Sequence, residues 1–140
     1  MESEKIQVKL MKNRANLLLG ELQLFEEDPS DKAMVLIELK FEEIKISCIS
    51  ENFFDTLIEL RKELDKLGIL IMCNGAAENV YPSPMQQSMG TGRVAYKLKY
   101  GQKTKITDVV DIFKYDETLN FVNVDKQFNF YLKWVKSITE

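Results

Sequence analysis

The sequence has 140 residues, of which 45% are hydrophobic and 29% charged, with a formal net charge of −3. This fits a single domain over residues 1–140, with a core large enough to need no metal or disulfide staple, and it argues against disorder. Histidine is absent, which removes Ser-His-Asp and Cys-His catalysis, histidine-ligated zinc and the commonest general base near neutral pH.

The opening "MESEKIQVKL" is charged and lacks the apolar core and cleavage site of a secretory signal, and no apolar run reaches the length of a membrane span. Ile6, Val8 and Leu10 alternate with polar neighbours, as do Leu22 and Leu24, which predicts strands. "EDPSD" at 27–31 predicts a turn, with Pro29 fixing φ and Asp and Ser side chains capping local backbone. Val35, Ile37, Leu39 and Phe41 share one face, Ile44, Ile46 and Cys48 another, and "FEEI" between them suggests a tight hairpin. Ser50 is the expected N-cap of a helix over about 51–67, with Phe53, Phe54, Leu57, Leu60 and Leu64 in its apolar stripe and Gly68 at the left-handed exit. "ILIM" then reads as a buried central strand.

Residues 73–93, "CNGAAENVYPSPMQQSMGTGR", break the pattern. Ser83 as N-cap, Pro84 at the first helical position, Gln86 three residues after the cap and Gly90 beyond the end predict a short helix over about 84–89. That helix would set Met85 and Met89 on one face, where with Tyr81 they either line a partner groove or roof the core. The prolines after Tyr81 and Ser83 force both into extended backbone.

After the loop, "RVAYKLKY" predicts a strand with Val94, Tyr96, Leu98 and Tyr100 on one face and Arg93, Ala95, Lys97 and Lys99 on the other. "GQKT" turns the chain, and "DVVDIF" predicts one more strand. A last helix is expected over about 123–137, with Phe128, Tyr131, Leu132, Val135 and Ile138 as its buried stripe, widened by Phe130 and Trp134. The fold class is therefore α+β: an antiparallel-rich sheet with two long helices (about 51–67 and 123–137) packed on it and a short helix at about 84–89.

The chemistry-bearing residues crowd into the loop. Cys73 would act as a nucleophile only with a depressed pKa, from Arg93 or the 84–89 helix N-terminus; otherwise it is a small buried hydrophobe. "GTGR", with Gly90, Gly92 and Arg93, suggests either an anion cradle of backbone N–H groups or a helix stop leading into a strand; it is neither a P-loop nor a dinucleotide fingerprint. Residues 79–107 carry five bases and no acid, yet the alternation turns the tyrosines away from the lysines, which disfavours nucleic acid. Asp108 and Asp111, three apart in a strand, fall on opposite faces and make no carboxylate pair. Cys48 and Cys73 cannot form a four-thiolate zinc site, so no metal and no cofactor is expected, and reduced thiols point to the cytoplasm.

The run "ILIMCNGAAENVYPSPMQQSMGTGRVAYKL" followed by "VVDIF" resembles a group of small uncharacterised bacterial proteins that share C-N-G, V-Y-P-S-x-M, M-G-x-G, A-Y and V-D-I-F. The matching positions include Cys73, Asn74, Gly75, Tyr81, Ser83, Met85, Met89, Gly90, Gly92, Tyr96 and Asp111. The resemblance implies no activity, and small proteins of this build are similar, by analogy, to the immunity partners of bacterial toxins. Two readings follow. The first is a cytosolic protein-binding protein, possibly immunity- or antitoxin-like, that blocks a partner with the loop and its acidic faces. The second is a small-ligand or anion-binding module, conceivably enzymatic, built on the loop. Candidate binding residues are Cys73, Asn74, Asn79, Tyr81, Ser83, Met85, Met89, Gly90, Gly92 and Arg93, with no catalytic set assigned. The expected partner is another protein, with a homo-oligomer open and a membrane excluded.

Overall fold

The computed structural model describes residues 2–139, the side chain of Met89 excepted. Among the described residues, eight strands form two antiparallel sheets: β1 (Glu4–Lys12), β2 (Asn16–Phe25), β3 (Val35–Phe41), β4 (Ile44–Ser50) and β5 (Ile69–Met72) in one, β6 (Val80–Tyr81), β7 (Val94–Lys97) and β8 (Val109–Asp111) in the other. The strand order is β4-β3-β2-β1-β5 in the large sheet and β6-β7-β8 in the small one. The helices are α1 (Phe53–Asp65), α2 (Pro84–Met89) and α3 (Val124–Ile138).

The N-terminal strands follow their alternation. Val8, Leu10, Leu22, Leu24, Val35, Ile37, Leu39 and Phe41 all face the core. Their hairpins use left-handed backbone at Asn13 and Arg14 (φ 52° and 58°) and at Glu42 (φ 52°). In the "EDPSD" turn, the Asp28 carboxylate accepts the backbone N–H of Ser30 (3.0 Å) and of Asp31 (3.1 Å). Helix α1 lays its apolar stripe across the sheet and buries Phe53, Phe54, Leu57, Leu60 and Leu64. Each such side chain contributes about 1.5–3 kcal/mol through the apolar area it removes from water.

Several expectations change. The N-cap of α1 is Asn52, whose Oδ1 accepts from the Asp55 N–H (2.9 Å), and not Ser50, which is still paired with Val35 as the last residue of β4. "ILIM" is an edge strand beside β1, not a central one; Ile69 and Ile71 are buried because α1 lies over that edge. In β7 it is Ala95 that is buried, while Val94 stays 39% exposed. The face of β7 that carries Ala95 is the one turned to the core cluster, and the strand ends before Leu98 buries its own side chain.

The buried line of α3 also differs from the apolar stripe. It runs through Gln127 and Trp134, whereas Phe128 and Leu132 are each 44% exposed. The helix packs mainly against β6 and α1, while α1 lies over β3, β4 and β5 of the large sheet. The turn has a polar cause. The Gln127 amide donates to the carbonyls of Gly75 (2.8 Å), Ala77 (3.0 Å) and Val80 (2.9 Å), and its Oε1 accepts from Arg61 Nη1 (2.6 Å). Buried carbonyls without donors are costly, and meeting them outweighs the burial of a leucine or phenylalanine.

Candidate functional site

The 73–93 loop starts where β5 ends. Cys73 is fully buried, and burial pushes its thiol up to about 12, so the nucleophilic thiolate is suppressed. Asn74 opens a 3-10 turn over Asn74–Ala76; its Nδ2 donates to the Asp111 carbonyl (3.1 Å), and its buried Oδ1 has no partner among the described residues. Gly75 sits where a Cβ would come within 2.7 Å of Leu57 Cδ2 and 2.9 Å of Ile112 Cβ, so the backbone of the C-N-G run packs directly on α1 and the segment after β8. Asn79 bonds Leu98 through backbone and side chain.

Tyr81 stacks on Tyr131 (4.1 Å between ring centroids) and meets Phe54 edge-on (5.0 Å), and burial raises its phenol pKa. Helix α2 carries the expected capping box: Gln86 N–H donates to Ser83 Oγ (3.1 Å), and Ser83 N–H donates to Gln86 Oε1 (2.8 Å). Met85 is 67% exposed, while the expected Met85–Met89 pair lies outside the described residues because it needs the Met89 side chain. Gly90 is extended (φ −125°), and Gly92 is left-handed (φ +74°), with Asn52 where a Cβ would stand. Between them, the Thr91 carbonyl accepts the Phe53 N–H (2.7 Å), so "GTGR" caps α1.

Arg93 crosses to the large sheet. Its two Nη atoms bind the Glu4 carboxylate (2.9 and 2.8 Å), its Nε contacts Asp111 (3.4 Å), and its guanidinium lies over Phe113 (5.6 Å). The Glu4 hydrogen bonds raise the Arg93 pKa, and the same contacts lower that of Glu4. The nine loop candidates whose side chains are described therefore do not converge on one cavity, and of these only Arg93 lines any of the three larger clefts.

Those clefts lie elsewhere. One, of about 440 Å³, is rimmed by Glu2, Glu4, Glu26 and Glu27. A second, of about 490 Å³, lies beside the N-terminal half of β1 and is walled by Met72, Arg93, Asp111, Phe113, Lys114 and Tyr115. Strand β5 pairs only with Lys9–Lys12, so Glu4–Val8 have no backbone partner beyond β2 among the described residues. Lys9 stands over the Tyr115 ring (4.4 Å) at one end of this slot, and the Glu4–Arg93 pair closes the other.

The third cleft, of about 680 Å³, lies between β5, the end of α1 and the start of α3. Arg14, Asp65, Asn120, Asn123 and Lys126 line it, a set that sequence periodicity does not bring together. Among the described residues no group of carboxylates or thiols could hold a metal ion, and no helix is long and apolar enough to cross a membrane. Comparison with protein-family models finds none that matches the chain, and comparison with curated proteins finds no significant match.

Proposed function

We propose that the protein binds another protein, takes an extended segment of that partner into the slot beside β1, and so blocks the partner as an immunity or antitoxin-like protein would. The observation that carries this reading is the unpaired backbone of Glu4–Val8 next to a slot of about 490 Å³. A strand inserted antiparallel to β1 would continue the line that β5 leaves at Met72. In strand addition, backbone hydrogen bonds supply affinity and pockets for alternate side chains supply selectivity. The walls define the occupant: apolar side chains against Met72, Phe113 and Tyr115, and a carboxylate at the end where Lys9 and Lys114 stand. The 73–93 loop then serves as support, with Arg93 closing the slot, rather than as a catalytic centre.

Affinity capture from the source cells with cross-link mapping tests this, using the wild type and a Lys9→Glu/Lys114→Glu variant, both of whose sites are exposed. A protein should cross-link to β1 and to residues 113–115, and charge reversal should release it. Capture of no protein, cross-links confined to another surface, or a partner held equally by the variant would overturn the reading.

A further inference from the structure

Arg61 is a buried cation without a counter-ion. It is 5% exposed, and no carboxylate lies within ion-pair distance of it among the described residues. Its partners are neutral: Gly75 O (3.3 Å) and Gln127 Oε1 (2.6 Å) on Nη1, and Val122 O (2.8 Å) on Nη2. A guanidinium has five N–H donors, so Nε–H and one Nη2–H find no acceptor among the described residues. Burial lowers its pKa to about 10, which still leaves it protonated at neutral pH.

Arg61 lines a small cavity of about 10 Å³ whose walls include Asp65, Ile69, Leu70, Val122 and Asn123. All five also line the cleft of about 680 Å³. Such a cavity is close to the size of one water, so an oxyanion stays outside it. Residues shared by the two linings, rather than bulk water, separate Arg61 from the cleft, so its charge is screened less there than in water.

Three further features of the cleft favour an anion. Arg14 and Lys126 stand on its rim, and Asp65 is its single lining carboxylate; with Arg61 behind the wall, three cations face one anion in a chain of net charge −3. The first turn of α3, a helix of 15 residues, starts at this cleft with the positive end of its dipole; Asn123 Oδ1 already caps the Lys126 N–H (2.9 Å), and Asp125 stands in the same turn. Asn13 and Asn120 add side-chain amides and Asn123 its NH2 group, which can bond hydroxyl groups, and Asp65 can accept from a ligand O–H.

We propose that this cleft binds a small hydroxylated phosphate ester, with the phosphate held by Arg14, Lys126 and the α3 N-terminus in the field of Arg61, and the hydroxyls held by the asparagines and Asp65. The volume suits a small metabolite. Arg61 does not touch the ligand; it is a positioning residue that supplies uncompensated charge. The site lies apart from the β1 slot and stands whether or not that slot takes a peptide.

The test is titration of the purified chain with glucose 6-phosphate, inorganic phosphate and glucose at constant ionic strength, read by melting temperature and by backbone amide NMR. Glucose 6-phosphate should raise the melting temperature by a few degrees through mass action, glucose should not, and the shifted amides should fall at residues 13–14 and 120–126. Inorganic phosphate binding as tightly as the ester would remove the hydroxyl part of the assignment. Arg14→Ala/Lys126→Ala, at two exposed positions, should keep the apo melting temperature and weaken binding roughly tenfold or more. Arg61→Lys keeps the buried charge but not the fork geometry, so it should retain more affinity than Arg61→Met at matched stability. No response to either phosphate beyond a chloride control, amide shifts elsewhere, or full binding by the double-alanine variant would overturn the proposal.

Discussion

The 73–93 loop and the cleft beside Arg61 use polar groups in opposite ways. In the loop, the buried Asn74 Oδ1 apart, such groups are largely spent: Ser83 and Gln86 cap each other, Thr91 caps α1, and Arg93 is held by two carboxylates. Around the cleft the groups are less conspicuous in sequence, yet Arg61 keeps two donors and a whole charge without a partner among the described residues. Sequence oddity therefore marked the segment that holds the fold together, while unspent hydrogen-bonding capacity marks the surface left for a ligand.

Four substitutions would break or sharpen this contrast. The largest effect is expected from Gln127→Leu, which takes the side-chain donor from the Val80 carbonyl, leaves the Ala77 carbonyl only the Val80 N–H (3.3 Å), and removes an Arg61 acceptor. At about 1–3 kcal/mol per orphaned group, the loss should reach roughly 3 kcal/mol or more in a urea titration. A loss below about 1 kcal/mol would mean that water replaces the amide, and that the network is looser than the distances imply. Gly75→Ala comes next: its Cβ would collide with Leu57 and Ile112, at a cost of about 1–3 kcal/mol from overpacking.

Ser83→Ala removes one half of the capping box and should cost about 1 kcal/mol, read as a lower melting temperature. The smallest effect belongs to Arg93→Ala. Its ion pair with Glu4 is part-exposed, with side chains 28% and 51% accessible, so after solvent screening it contributes less than about 1 kcal/mol. Because the pair lowers the Glu4 pKa from 4.5, its contribution is present above that value and fades as pH falls through the lower folded value. The gap in melting temperature between wild type and Arg93→Ala should therefore be constant at neutral pH and narrow on acidification, with the Asp111 and Phe113 contacts of Arg93 supplying what remains. A gap that widened in acid would contradict the pairing. None of the three loop variants should alter phosphate-ester binding, whereas Arg14→Ala/Lys126→Ala should do so without a stability cost.

Where local chemistry decides, the sequence was readable. The cap at Ser83, the turn at Asp28 and the left-handed exit at Gly68 (φ +72°) each depend on a few neighbouring residues, and each is found. The failures share a different cause. Ser50 and Asn52 are both good caps, and only the pairing of Ser50 with Val35 chooses between them. An apolar run such as Ile69–Met72 looks the same at the edge of a sheet as in its middle. Helix α3 presents a broad apolar arc, so its rotation was fixed by something hydrophobicity cannot register, the need of three carbonyls for one glutamine.

The candidate cleft was invisible for the same reason. Arg14, Arg61, Asp65 and Lys126 come from a hairpin, the body and end of one helix and the start of another, with no common spacing. The loop residues were legible as a group, but their engagement in caps and ion pairs was not, because the partners Glu4, Asn52 and Phe53 lie far from them in sequence.

The Gln127 side chain has a consequence for how the molecule breathes. A single amide bridges α3 to three carbonyls between Gly75 and Val80, and through Arg61 to α1. None of these segments can open alone without exposing the groups of the other two, so they should exchange backbone deuterium as one cooperative block. The hairpin tip at Glu42, which carries no such bridge among the described residues, should open far sooner and on its own.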